Sequence, residues 1–127
     1  MGEDKVIYKE ESYKIVGCCF KVFNQLGAGH REKTYQTALA EVFKLKNIEF
    51  KEQFYLSVKI GDKIIDKRFF DFLVLGRIVL ELKVGDHFHK RDIEQLHSYL
   101  RSSSLKLGIL VNFASTGANF RRVLNAY

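Results

Sequence analysis

The spacing of apolar positions changes period along the chain, and the changes mark its elements. Ile15, Cys19, Val22, Phe23 and Leu26 recur at three- and four-residue steps, which predicts a helix from about Glu10 to Leu26. Gly27-Ala28-Gly29 interrupts it. A second helix is expected from about His30 to Lys46, with Tyr35, Leu39, Val42 and Phe43 as its apolar stripe and Asn47 as its stop. From Glu49 to Ile60 the pattern is strand-like, and Gly61-Asp62 reads as a turn into a second strand, Lys63 to Leu75. A corner at Leu75-Gly76 starts a third strand, Arg77 to Val84. Gly85-Asp86 then leads to a helix from about Lys90 to Ser102, with Ile93, Leu96 and Leu100 facing inward. Leu105 to Phe113 is a continuous apolar run, as expected of a buried strand parallel to its predecessor. The third strand, this helix and this run form a βαβ unit, whose crossover should be right-handed. Phe120 to Leu124 reads as a last short element. The succession predicts an α/β fold, a mixed central sheet of about four strands flanked by helices, as one domain over residues 1–127.

Charges inside the second and third strands change the picture. Between Asp71 and Val84 the intervening charges are Arg77, Glu81 and Lys83, set in a run of Phe, Leu, Val and Ile. A carboxylate there is costly unless something pairs with it. Glu-x-Lys also occurs at Glu3 and Glu49, but only Glu81-Leu82-Lys83 lies in a strongly apolar strand that follows a second acidic one. Alternation puts Glu81 and Lys83 on one face and Leu80, Leu82 and Val84 on the other, and it groups Asp71 with Phe69 and Leu73. A hairpin centred on Gly76 with an odd-numbered loop would set Asp71 opposite Glu81; an even loop would separate them. Asp71 and Glu81 are hard oxygen ligands suited to Mg²⁺ or Mn²⁺, and such an ion can polarise a phosphodiester and activate a bound water. Lys83 would position that water or neutralise charge on the phosphate. The competing account is structural: both acids locked in buried salt bridges to Arg68 or Lys83.

Bulk properties add little else. The 127 residues carry a net charge of +6, with 46% hydrophobic and 28% charged residues, an ordinary soluble balance that favours an acidic partner such as nucleic acid. Arg68, Lys90, Arg91, Arg121 and Arg122 are candidate phosphate contacts. Cys18 and Cys19 are adjacent and read as reduced core thiols. His87, His89 and His97 lack a metal-ligand spacing and read as surface. No apolar run reaches the length of a membrane span, the first five residues lack a signal-peptide core, and Val6 departs from a myristoylation signal, so a cytoplasmic protein without membrane contact is expected.

A family resemblance joins these residues. Gly29-His-Arg-Glu32-Lys-Thr-Tyr35 is similar to the signature of the GxxExxY proteins. Asp71, Glu81-Leu-Lys83, Gln95-Leu-His-Ser-Tyr99-Leu and Leu107-Gly-Ile-Leu-Val-Asn112-Phe113 follow in that family's order. Ala28 replaces its usual Pro, and His30-Arg31 its usual apolar pair. The resemblance runs from about Ile15 to Leu124 and implies a restriction-endonuclease-like PD-(D/E)xK core. It implies Asp71 and Glu81 as metal ligands, Glu32 as a further acid reaching the metal, Lys83 as catalytic lysine, and Gln95 with Tyr99 as helix-borne site residues. The expected function is a Mg²⁺- or Mn²⁺-dependent nuclease acting on nucleic acid, with DNA the first expectation and a homodimer compatible with it. The alternative is an inactive nuclease-like module that binds nucleic acid or protein.

Overall fold

The computed structural model describes residues 7–125; the signal-peptide and acylation readings of residues 1–6 lie outside the described residues. Two helices come first, α1 (Lys9–Leu26) and α2 (Glu32–Leu45). They are followed by β1 (Phe50–Ile60), β2 (Lys63–Val74), β3 (Ile78–Val84), α3 (Lys90–Arg101), β4 (Leu107–Phe113) and β5 (Ala118–Leu124). The strands form one sheet in the order β1-β2-β3-β4-β5. β3 and β4 run parallel across α3, as a βαβ unit requires, and the other neighbours are antiparallel.

The sheet has five strands, not about four. β5 is a full strand paired with β4 from Leu107↔Leu124 to Phe113↔Ala118. Its Asn119, Arg121 and Arg122 hide it from an apolar-run criterion, because an edge strand carries polar side chains.

Each face of the sheet has its own core. Ile15, Val22, Leu39 and Phe43 of α1 and α2 cover Phe72, Ile78, Leu80, Leu82 and Ile109. On the other face Leu96, Tyr99 and Leu100 of α3 cover Phe70, Leu73, Val79 and Leu110. Burying each such aliphatic side chain is worth about 1.5–3 kcal/mol. Gly108 lets α3 lie close to β4, since a Cβ there would sit 2.8 Å from Leu96 Cδ2. Cys18 and Cys19 are buried free thiols within the α1 layer, as expected. Among the described residues no helix is long and apolar enough to cross a membrane.

Apart from a register shift at Val58/Lys59, alternation in the β1–β2 hairpin also fails at Asp71. Phe72 meets Phe43 of α2 edge-on at 5.5 Å, whereas Phe70, which alternation would put on the same side, meets Tyr99 of α3 at 5.4 Å. The neighbouring strand bends in the same row: Gln53 of β1 has φ 53°, and no ladder pair joins it to Asp71 between Glu52↔Phe72 and Phe54↔Phe70. The β1–β2 hairpin therefore twists over as it leaves the core. The sequence-based grouping of Asp71 with Phe69 and Leu73 assumes unbroken alternation through this row; Leu73 does lie on the α3 side, and the break falls between Asp71 and Phe69.

Candidate active site

The loop Leu75-Gly76-Arg77 between β2 and β3 has three residues, so it is odd-numbered. Leu75 and Gly76 take φ 56° and 68°, and Arg77 N–H closes the turn on the Val74 carbonyl at 3.1 Å. Glycine fits such a position without strain. Carrying the register one residue past Phe72↔Leu80 sets Asp71 opposite Glu81. There side chains replace the ladder: Asp71 N–H donates to Glu81 Oε1 at 3.0 Å, and Leu82 N–H donates to Asp71 Oδ2 at 2.7 Å. The two carboxylates are thus fixed by each other's strand.

Glu81 is 4% exposed and compensated on both oxygens. Arg68 Nη2 donates to its Oε2 at 2.7 Å, and Lys83 Nζ lies 4.0 Å from the same atom. Lys83 also lies 3.9 Å from Asp92 in the first turn of α3. Asp71 has less compensation. Burial, and then the charge of Glu81, push its carboxyl up to about 7, against the pull of the Leu82 N–H.

Glu32 reaches the same field from the head of α2. The residue stays open to solvent, yet the surrounding protein partly desolvates its carboxyl and raises its pKa. Lys83 opposes that rise, Glu81 adds to it, and Arg68 and Asp92 act more weakly with opposite signs. The local sequence explains how Glu32 is presented. Gly29 takes φ 92° in the turn between the helices, and the Tyr35 hydroxyl donates to the Gly27 carbonyl at 2.6 Å. Tyr35 stacks on Phe113 at 4.1 Å and meets His30 edge-on at 5.7 Å. It is a structural clamp for the turn that delivers Glu32.

The structure therefore gathers Asp71, Glu81, Lys83 and Arg68, with Glu32 and Asp92 in electrostatic range. The other predicted residues take no part in these hydrogen bonds and ion pairs. The Tyr99 ring packs on Phe70, and its hydroxyl lies in the electrostatic field of Asp66 and Arg68. Gln95 is half-buried on α3 and makes none of the hydrogen bonds within the acid cluster. Lys90 forms a surface pair with Glu94 at 3.8 Å, and Arg91 is exposed beside it. Arg122 donates to the Ile7 carbonyl on the α1 side of the sheet, whereas Arg121 pairs across to Leu110 on the α3 side. Asp92 escapes a sequence reading because an acid in the first turn of a helix has an ordinary role at the positive end of its dipole.

Two carboxylates, one of them under-compensated, form a donor set that suits a hard divalent cation in kind. Among the described residues no three His, Cys, Asp or Glu side chains are arranged to hold a metal. Glu81 Oε2 is given to Arg68, so an ion there would have to share or displace that guanidinium.

A mixed sheet with helices on both faces, and an acid on each of two hairpin-linked strands followed two residues later by a lysine, define a nuclease-like α/β class. A match to the PD-(D/E)XK nuclease superfamily spans residues 9–123, and the chain belongs to that superfamily. It is also similar in fold to a solved structure described as "Crystal structure of SSO0001", at 20% identity and a TM-score of 0.58. The similarity covers 75% of this chain and 50% of that one, so the chain spans about half the length of that protein. Comparison with curated proteins gives no match.

Proposed function

We propose that this protein is a divalent-metal-dependent nuclease of the GxxExxY kind, hydrolysing phosphodiester bonds in nucleic acid, with DNA as the first substrate to test. The observation that carries this reading is the juxtaposition of Asp71 and Glu81 on paired strands with the Lys83 ammonium beside Glu81. Asp71, Glu81 and Glu32 would hold Mg²⁺ or Mn²⁺, which supplies Lewis-acid polarisation of the phosphate and a more acidic bound water. Lys83 sits between Glu81 and Asp92, which hold its ammonium at the edge of the acid cluster, where it can neutralise charge gathering on a phosphate oxygen. Arg68, when released from Glu81, is a second cation for the same phosphate. The cytoplasm and a homodimer addressing two strands belong to the same proposal.

The test is a cleavage screen over linear and structured DNA and RNA with Mg²⁺ and with Mn²⁺. Glu81→Ala and Lys83→Ala are expected to lower metal-dependent cleavage at least about 100-fold, the scale of losing one preorganised electrostatic contact, while circular dichroism stays that of the folded chain. Unchanged cleavage in both variants would refute the assignment.

One observation favours a second reading, an inactive nuclease-like module. The Arg68–Glu81 pair at 2.7 Å already neutralises the most buried acid. Under that reading the purified protein binds nucleic acid with no turnover in either metal.

A further inference from the structure

Beyond the acid cluster, an open cleft of about 570 Å³ lies where β5, α1 and the loop after β3 meet, lined by Phe20, His87, Phe88, Asn119, Phe120 and Arg121. We propose that this cleft is a nucleotide subsite, holding one base and its phosphate from the strand whose scissile bond lies at Lys83. The inference rests on the nuclease reading and deepens it by naming where the substrate continues.

Three observations carry it. First, the sheet register puts one wall of the cleft on the cluster's side of the sheet. Glu81 pairs with Leu110 and Leu110 with Arg121, while Lys83 pairs with Asn112 and Asn112 with Asn119. Paired residues share a face, so Arg121 and Asn119 stand two strand spacings, about 10 Å, from Glu81 and Lys83 on the same side. A nucleic-acid strand covers that distance in a few residues at its stacked rise of roughly 3.4 Å.

Second, Arg121 is set in place without being used up. Its guanidinium lies over the Phe88 ring at 5.3 Å from the centroid, and no carboxylate among the described residues pairs with it. Stacking fixes the plane of the group while its N–H donors remain for a phosphate. The carboxylate at the rim, Asp86, is engaged instead by the Ser115 N–H at 2.9 Å and hydroxyl at 2.8 Å.

Third, Phe20 of α1 and Phe120, which pairs with Val111 and so stands on the α1 side of the edge strand β5, are 43% and 39% exposed and line the same cleft from across the sheet edge. Aromatic faces beside an unpaired cation, in a chain of net charge +6, fit a base with its phosphate better than an apolar peptide.

The experiment uses the full chain carrying Lys83→Ala, which holds substrate without cutting it, and a fluorescently labelled single-stranded oligonucleotide read by anisotropy. Adding Arg121→Gln or Phe88→Ala is expected to weaken binding about 10-fold each. Arg121→Gln should also make the log K against log salt slope shallower by about one, whereas Lys44→Ala, on the exposed face of α2, should change neither. Because Arg121 is exposed, its variant keeps the fold even if Phe88→Ala does not. If the Lys83→Ala parent binds and both added variants match it within twofold, the subsite is wrong and the nuclease reading stands. If neither the Lys83→Ala parent nor the unmutated chain binds nucleic acid, the nuclease reading falls and takes the subsite with it. If the variants alter sedimentation rather than affinity, the cleft is an interface between copies of the chain, and the proposal is overturned.

Discussion

Glu81 shows how one residue's surroundings divide between stability and chemistry. Its desolvated carboxylate is held by Arg68 Nη2 and by the Asp71 N–H, so removing the guanidinium leaves a buried charge short of a partner. Arg68→Ala is expected to cost about 3 kcal/mol in urea unfolding, and Mg²⁺ should recover more stability in that variant than in the parent. Asp71 carries the opposite imbalance. Its folded pKa is raised from 3.8 to about 7, so between those values the folded chain keeps a proton that the unfolded chain has lost. The resulting stabilisation is full below about pH 4 and is lost as pH rises through about 7. Asp71→Asn keeps the acceptor for Leu82 N–H and removes the titration. Without divalent metal, thermal melts should show the melting temperature of Asp71→Asn gaining on the parent from about pH 4 to about pH 7 and levelling off above it. A pH-independent difference would mean that Asp71 is not proton-bound in this range. At this scale the sequence already exposed the chemistry, because charges set in apolar strands stand out. Arg68 was legible as a possible salt-bridge partner and as a phosphate contact, and the tertiary structure shows it paired with Glu81. Asp92 was not legible at all, since its approach to Lys83 depends on where α3 lands.

Among elements, the turn between α1 and α2 shows what a motif contributes. Gly29 supplies the positive φ, Tyr35 locks the turn through Gly27, and Glu32 is carried to the edge of the cluster as the first residue of α2. Tyr35→Phe removes the bond to the Gly27 carbonyl but keeps the stack on Phe113, so a loss of about 1–2 kcal/mol is expected in denaturant unfolding. The same variant should loosen the turn, seen as faster amide exchange from Gly27 to Glu32. The helix and strand positions were legible because 3.6- and 2-residue periods are written locally. β5 and the twist at Asp71 were misjudged for one reason. Both depend on neighbours: β5 is a strand because β4 offers it an edge, and β2 turns over where Gln53 bends β1 beside it.

Across the whole molecule, the acid cluster lies on the α3 side of β3, and Arg121 and Asn119 share that side two strands away. If this surface binds nucleic acid through several such cations, affinity should fall steeply with added salt, several-fold for each doubling of concentration; a flat response in filter binding would remove the electrostatic basis of the reading. The sequence by itself determined the order of elements and the parallel βαβ step, because these follow from local periodicity, and it left the parity of the β2–β3 loop open. Only the tertiary structure decided that Glu81 is neutralised by Arg68, that Asp71 stands at the break in its ladder, and that the Tyr99 ring packs on Phe70. Those outcomes turn on a few ångströms between side chains on different elements, set by sheet twist and by how closely α3 packs at Gly108, and no spacing along a single chain segment encodes such distances.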